Sequence, residues 1–137
     1  MAQITGLLGG RVSEELIFGS ELITAGAHGD FRKISELVRV LIFDYGMSDL
    51  GIIPTRESLF RDSEIPEELP EKFKEKIANE REKIINQCRK KAQLILQKGK
   101  TTLSLLANIL LEKNSLSVEE TNYIFTNQIS PFVPLLN

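Results

Sequence analysis

The sequence predicts an all-α fold, a bundle of about five helices that includes one long amphipathic helix. Apolar residues recur at intervals of three and four over most of the chain, which is the period of one helix face. The strict apolar–polar alternation of a half-buried strand nowhere reaches a useful length. With 137 residues, the chain is long enough for one domain with a hydrophobic core.

Composition narrows the class of protein. Hydrophobic residues make up 42% and charged residues 26%, as in ordinary globular proteins. The net charge of -2 gives no basic footprint for a nucleic acid, so none is expected as a partner. The single cysteine, Cys88, excludes an internal disulfide and a cysteine-rich zinc cluster. No apolar run approaches the roughly 18 residues of a membrane span, so this chain is expected to be soluble and any membrane link to lie outside it.

The first helix is predicted over residues 1–19. Two adjacent glycines, Gly9 and Gly10, interrupt it at a cost of about 1 kcal/mol each relative to alanine. We therefore expect a neighbouring helix to approach their backbone closely, and Gly19 to end the helix. Its apolar positions are Ile4, Leu7, Leu8, Val12, Leu16 and Ile17.

The second helix is predicted over residues 30–46, where Gly46 ends it. A loop with scattered glycines and prolines follows at 47–69. The inward stripe of the helix is Phe31, Ile34, Leu37, Val38, Leu41, Ile42 and Tyr45.

The long helix is predicted over residues 70–98, because Pro70 suits a first turn and Gly99 follows the end. Its charged residues cover the remaining faces, where they form pairs four residues apart. The predicted buried seam is Phe73, Ile77, Ile84, Cys88, Ala92 and Ile95.

Two short helices are predicted over residues 100–126, the second opened by a capping box of Ser117 and Glu120. The tail, 127–137, contains two prolines and is expected to fray or to dock on something external. The first of the two helices is expected to turn inward Leu103, Leu106, Ala107, Leu110 and Leu111.

These residues do not supply a complete hydrolytic centre. A zinc hydrolase needs about three protein ligands and an open position for water, but this chain has one histidine, His28, and no H-E-x-x-H pair. Cys88 lies in the predicted seam, where cysteine is usually inert. Gly9-Gly10 lacks the lysine and serine of a phosphate-binding loop.

Asp30 has two interpretations on local chemistry. It stands just before an apolar stripe, where an aspartate accepts backbone N–H bonds and suits the positive end of the helix dipole. It is alternatively one ligand of a metal site. His28 is favoured as an exposed loop residue, and Glu14 and Glu15 as a polar helix face from which one side chain could point toward a shared site.

The stretches LLGGRVSEELIFG, TAGAHGD and YGMSD resemble the peptidase domain of the FtsH family, the membrane-anchored ATP-dependent zinc metalloproteases. In that family an L-G-G-R-x-A-E-E helix precedes a T-T-G-A-S-N-D loop and a helix ending in Y-G-M-S. The later EREKIINQCRKKAQLILQ and LLANILLEKNSLSVEE are similar to the family's final helices. The resemblance runs from about Gln3 to Ile124, and the order and spacing of several motifs make it specific.

The resemblance implies that Asp30 is the third ligand of a catalytic zinc. In the family the other two ligands are the histidines of an upstream H-E-x-x-H helix, whose glutamate is the general base, so this chain holds no catalytic residue of its own. Four positions depart from the family pattern: Ser13, Ala25, His28 and Gly29. His28 is thus a family departure and not the active-site histidine.

The resemblance further implies a parent protein, of which this chain is a fragment. That parent would be a membrane-associated homo-hexamer with its peptidase domain on the cytoplasmic, organelle-matrix or stromal side. A separate ATPase domain would use ATP to feed polypeptide substrates to the zinc peptidase. This chain would contribute the third zinc ligand and helices that contact neighbouring subunits, and would be inactive alone.

Two alternatives remain: a non-catalytic assembly or regulatory module of the same fold, and an unrelated helical adaptor in which Asp30 is only a cap.

Without upstream helices, the surface around Leu7, Leu8 and Val12 is expected to be uncovered.

Overall fold

The computed structural model describes residues 1–53 and 69–127. Within these ranges every regular element is helical, which confirms the predicted all-α class. The chain divides into two compact units, Met1–Gln93 and Leu94–Asn137. None of the described helices is both long and apolar enough to cross a membrane.

The described residues of the first unit are mostly helical. The helices are α1 (Ala2–Leu7), α2 (Gly9–Phe18), α3 (His28–Arg39) and α4 (Glu71–Lys98), of which α4 continues into the second unit. Single 3-10 turns lie at Ser20–Leu22 and Ala25–Ala27, and a π-helical turn at Val40–Asp44 extends α3. The second unit adds α5 (Lys100–Lys113) and α6 (Val118–Asn127).

The helix predicted over 1–19 is divided at Leu8, although backbone hydrogen bonds from Leu8 to Ile4 and from Val12 to Leu8, both 3.0 Å, carry the ladder across. Ile4, Leu8 and Val12 are all buried. The expectation of uncovered surface at Leu8 and Val12 was therefore wrong. The reason is that α1 packs on α3, and Cys88 of α4 contacts Met1, so this face is covered from within the unit.

The glycine pair between α1 and α2 does not meet a close neighbour. A Cβ atom added to Gly9 or Gly10 would have no heavy atom within 4 Å. The expected helix–helix approach at these glycines was therefore wrong for the described part of the chain.

We expect Gly10→Ala to stabilise the chain by about 0.5–1 kcal/mol, because alanine loses less backbone entropy in a helix and space is available for its methyl group. Urea unfolding followed by circular dichroism measures this difference. Gly46→Ala is the matched control and should destabilise, since Gly46 has φ +57° and Ile52 would lie 3.4 Å from the new Cβ. Loss of stability in Gly10→Ala would mean that something does pack against this backbone.

Helix α3 begins at His28, two residues before the predicted start, and buries Ile34 and Val38 as predicted. Ile42, in the π-helical turn that follows, is buried as predicted as well. Phe31 and Tyr45, placed in the same stripe by sequence, are exposed. For Tyr45 the cause is the π-helical turn, in which its N–H bonds to Val40 O at 3.0 Å. The extra residue in this turn shifts the helical period and carries Tyr45 off the buried face.

The segment after α3 is tied to α4 by polar contacts. The Asp49 N–H donates to Glu80 Oε1 at 3.2 Å, and Lys83 pairs with both Asp49 and Glu80. This pairing raises the pKa of Lys83, chiefly through the hydrogen bond to Asp49. Ile53 is buried at the end of the segment. Most of the predicted 47–69 loop, residues 54–68, lies outside the described residues.

The predicted seam of α4 is largely correct. Ile77, Ile84, Cys88 and Ala92 are buried, in agreement with the prediction, and Phe73 is half-buried. The predicted burial of Ile95 was wrong, because its side chain is exposed.

In the second unit the buried described residues are Thr102 and Ile109 of α5 and Ile124 of α6. The inward placement of Leu110 and Leu111 was wrong, and Ala107 is exposed as well. The capping box is confirmed by hydrogen bonds of 2.9 Å and 3.2 Å between Ser117 and Glu120. The predicted tail lies outside the described residues from position 128 onward.

Candidate functional site

Asp30 occupies the first turn of α3 and is not its cap. The helix begins at His28 with Ala27 in the N-cap position, so Asp30 is the third helical residue. The interpretation of Asp30 as the N-cap was wrong for this reason. Its negative charge still lies at the favourable end of the helix dipole.

The carboxylate of Asp30 is accessible and only weakly paired. Its side chain is 40% exposed, and Lys33 Nζ lies 3.9 Å from Oδ1 on a side chain that is itself 70% exposed. An ion pair at that distance in solvent contributes little stability. It therefore leaves the carboxylate able to bind another group.

The loop that presents Asp30 is fastened to α2 by Glu14. Glu14 accepts two hydrogen bonds from Thr24, one from the hydroxyl at 2.8 Å and one from the backbone N–H at 3.1 Å. The Thr24 hydroxyl oxygen in turn accepts from Gly26 N–H at 3.3 Å and closes the turn at Ala25–Ala27. Because this turn runs directly into α3, Glu14 fixes the point from which Asp30 projects.

Glu15 and His28 do not join Asp30. Glu15 bonds to Arg89 at 2.6 Å and to Arg11 at 3.2 Å, so it ties α2 to α4. His28 is exposed as predicted, but it is the first residue of α3 and not a loop residue. Of Glu14 and Glu15, from which one side chain could point toward a shared site, it is Glu14 that the structure connects to the segment before Asp30.

Among the described residues, Asp30 is suited to be one ligand of a metal ion, but no complete set of ligands is present. No three His, Cys, Asp or Glu side chains among residues 1–53 and 69–127 lie together in a way that could hold a metal ion. A zinc site needs about three protein ligands. Asp30 supplies a suitable hard oxygen ligand, and the remaining ligands would have to come from elsewhere.

An open surface groove of about 870 Å³ lies between α1 and α3, lined in part by Leu7, Leu37, Arg32 and Lys33. Asp30 is not among the residues that line it.

The two glutamates of α2 make the fold sensitive to acid. Hydrogen bonds from Thr24 lower the pKa of Glu14, and the hydrogen bond from Arg89 lowers the pKa of Glu15, both from an ordinary value of 4.5. A carboxyl whose pKa is lower in the folded state contributes stability above its unfolded pKa and loses it as the pH falls through the folded pKa. We expect the urea midpoint to fall as the pH drops below about 4.5.

This acid sensitivity should be smaller in the double variant Glu14→Gln/Glu15→Gln, which removes both carboxylates. The control is Glu21→Gln, an exposed glutamate in the next turn, which should keep the wild-type slope. An unchanged slope in the double variant would show that the acid sensitivity arises elsewhere in the chain.

Comparison with known proteins identifies the family of this chain. The family profile described as Peptidase family M41 matches residues 1–124. The chain belongs to peptidase family M41. The suspected resemblance to the FtsH peptidase domain is thereby confirmed.

Several relatives of this M41 chain are named ATP-dependent zinc metalloprotease FtsH. The ATP-dependent zinc metalloprotease FtsH 3 of Phytoplasma mali (strain AT) is 35% identical over 127 residues, which cover 93% of this chain and 19% of the relative. The ATP-dependent zinc metalloprotease FtsH of Bacillus subtilis (strain 168) is 32% identical over 136 residues, covering 94% and 21%. That of Mycoplasma mobile is 33% identical over 132 residues, covering 93% and 19%. The M41 chain thus spans about a fifth of the length of these curated relatives.

Thr24 is the site residue that sequence reasoning missed. It was quoted in the M41 motif but given no role, because its partner Glu14 lies ten residues away on another helix. The available signal was a threonine before the loop and two glutamates on the preceding helix. It did not indicate which glutamate would bond to the threonine.

Proposed function

We propose that this chain is the C-terminal part of the peptidase domain of an ATP-dependent zinc metalloprotease, and that Asp30 is the third protein ligand of its zinc. The observation that carries the proposal is the accessible, weakly paired carboxylate of Asp30 in the first turn of α3 of an M41 chain, directly after a turn that Glu14 and Thr24 fasten. The surroundings of a metal ligand orient it, and the two hydrogen bonds between Glu14 and Thr24 fasten the segment that leads into the helix of Asp30.

Zinc in such a site activates a water molecule for attack on a peptide carbonyl. The residues of this chain perform the supporting parts of that task. In this proposal Asp30 binds the zinc, and Glu14 and Thr24 fasten the turn from which α3 begins. The general base and the other two ligands belong, in this proposal, to a segment outside the chain.

The parent protein is proposed from the same likeness. The relatives are named ATP-dependent zinc metalloproteases, and this chain spans about a fifth of their length. We therefore propose a longer protein that degrades polypeptides and uses ATP in a separate domain. It would assemble as a hexamer through contacts that include these helices, and would meet the membrane through segments outside this chain, with the peptidase part on the cytoplasmic, matrix or stromal side.

A non-catalytic assembly module is the second candidate. The observation that favours it is the altered loop, in which Ala25, His28 and Gly29 replace the residues of the family pattern beside Asp30. This candidate predicts a parent that lacks metal-dependent proteolysis even when intact.

The isolated 137-residue chain is expected to show no hydrolysis of casein or of a fluorogenic peptide, with or without added zinc, because it supplies one ligand and no base. The full-length protein should hydrolyse casein when given ATP and zinc. Hydrolysis by the isolated chain would contradict the proposal if Asp30→Ala removed it, whereas activity that survives Asp30→Ala would come from a contaminant. An intact full-length protein without proteolysis would favour the assembly module.

A further inference from the structure

Lys33 is the cation that the geometry of α3 places beside Asp30. Residues three apart on a helix are neighbours on its surface, and Lys33 Nζ lies 3.9 Å from Asp30 Oδ1. Within residues 1–53 and 69–127, no other cation pairs with this carboxylate. Any cation that binds to Asp30 therefore meets the charge of Lys33 first.

The next carboxylate on the other side of Lys33 along the helix is engaged elsewhere. Glu36 accepts a hydrogen bond from Arg39 Nη2 at 3.0 Å, and Arg39 also contacts Asp44 at 3.4 Å. The spacing of charges along α3 thus leaves Lys33 to Asp30.

The contact between Lys33 and Asp30 is too exposed to serve mainly in folding. The two side chains are 70% and 40% exposed, and an ion pair in solvent contributes little stability. Lys33 also lines the open groove between α1 and α3, so its side chain has space to move away from the carboxylate. The contact can therefore break without disturbing the buried face of the helix.

We propose that Lys33 is the counter-charge of Asp30 and competes with the metal ion for its carboxylate. This inference rests on the proposed function, in which Asp30 is a zinc ligand. Lysine carries a compact positive charge, and a positive charge beside a ligand opposes the binding of a second cation. Because salt screens exposed charges, Lys33 makes the metal affinity depend on ionic strength.

The test measures zinc affinity of the full-length protein by chelator competition, for wild type and Lys33→Gln. It uses ionic strengths of about 0.1 M and about 1 M, at which the screening length is about 10 Å and about 3 Å. At the lower ionic strength Lys33→Gln should bind zinc about threefold to tenfold more tightly, the size expected for one unit charge near a divalent ion in solvent. At the higher ionic strength the difference should fall below about twofold, because the screening length is then shorter than the 3.9 Å contact.

Two variants separate the charge of Lys33 from other effects. Lys33→Arg keeps the positive charge and should match the wild-type zinc affinity within about twofold. Arg32→Gln removes a charge from the adjacent position, which lies two residues from Asp30 and so does not face it on the helix, and should also match wild type within about twofold. In the isolated chain, Lys33→Gln should keep a urea midpoint close to wild type, because the side chain is largely exposed.

Equal zinc affinity of wild type and Lys33→Gln at the lower ionic strength would overturn the inference. A gain that Arg32→Gln reproduces, or that persists at the higher ionic strength, would overturn it as well. The substitution is repeated in the Asp30→Ala background, where its effect should fall below about twofold, because Asp30 is what holds Lys33 beside the site. A full effect in that background would also contradict the inference.

The same measurements distinguish this inference from the proposed function. Zinc affinity that Asp30→Ala leaves unchanged rejects the ligand role of Asp30 and, with it, the role of Lys33. Zinc binding that Asp30→Ala weakens and Lys33→Gln leaves unchanged rejects the role of Lys33 alone.

Discussion

In a full-length protease that contains this chain, Asp30→Ala is expected to abolish proteolysis while ATP hydrolysis stays close to wild type. Removing an outer partner of a metal ligand typically costs about 10–100-fold in metal affinity or activity, and removing the ligand itself should cost more. The side chain is 40% exposed with one long contact to Lys33, so its loss should leave the fold intact.

The matched control is Asp44→Ala, an aspartate just beyond the other end of the same helix. Asp44 contacts Arg39 at 3.4 Å, and Arg39 retains Glu36 at 3.0 Å when Asp44 is removed. This variant should keep wild-type proteolysis. In the isolated chain, Asp30→Ala should change the free energy of unfolding by no more than about 0.5 kcal/mol, as expected of a surface residue in a first turn. Full proteolysis in Asp30→Ala would exclude a ligand role.

Ile42→Ala is expected to destabilise the isolated chain by about 2–5 kcal/mol, the range for emptying a buried isoleucine site. Ile42 is 0% exposed and lies in the π-helical turn that closes the buried stripe of α3. Such a loss is a large fraction of the stability of a small domain. Urea unfolding monitored by circular dichroism measures the change.

Ile52→Ala makes the same chemical change where the side chain is 89% exposed, and should shift stability by no more than about 0.5 kcal/mol. Similar effects at the two positions would show that Ile42 does not lie in the core. The comparison therefore tests the burial pattern of α3 with the side-chain chemistry held constant.

Helical period predicted the parts of the fold that depend on local spacing. Ile77, Ile84, Cys88 and Ala92 follow one face of α4, and Ile34 and Val38 one face of α3, as the sequence indicated. Helical period predicted the wrong burial for Tyr45, which follows the π-helical turn. The apolar pattern gives no sign of the extra residue in that turn. It also failed for Ile95 and Leu111, because exposure depends on which partner lies opposite.

The candidate site was predictable through motif order and not through local chemistry. Local chemistry favoured Asp30 as a cap, and the helix start at His28 removes that interpretation. The contact between Glu14 and Thr24 could not be derived from spacing, because it depends on how the loop returns to α2. Gly9 and Gly10 show a limit of local reasoning as well, since the cost of two glycines in a helix led us to expect a close contact that the structure does not show around these residues.

The most direct test of this account is the zinc affinity of the full-length protein, measured by competition with a calibrated chelator, for wild type, Asp30→Ala and Asp44→Ala. Asp30→Ala should retain zinc at least tenfold more weakly than wild type, and Asp44→Ala should equal wild type. Zinc affinity unchanged by Asp30→Ala would contradict the central claim that this carboxylate is a ligand.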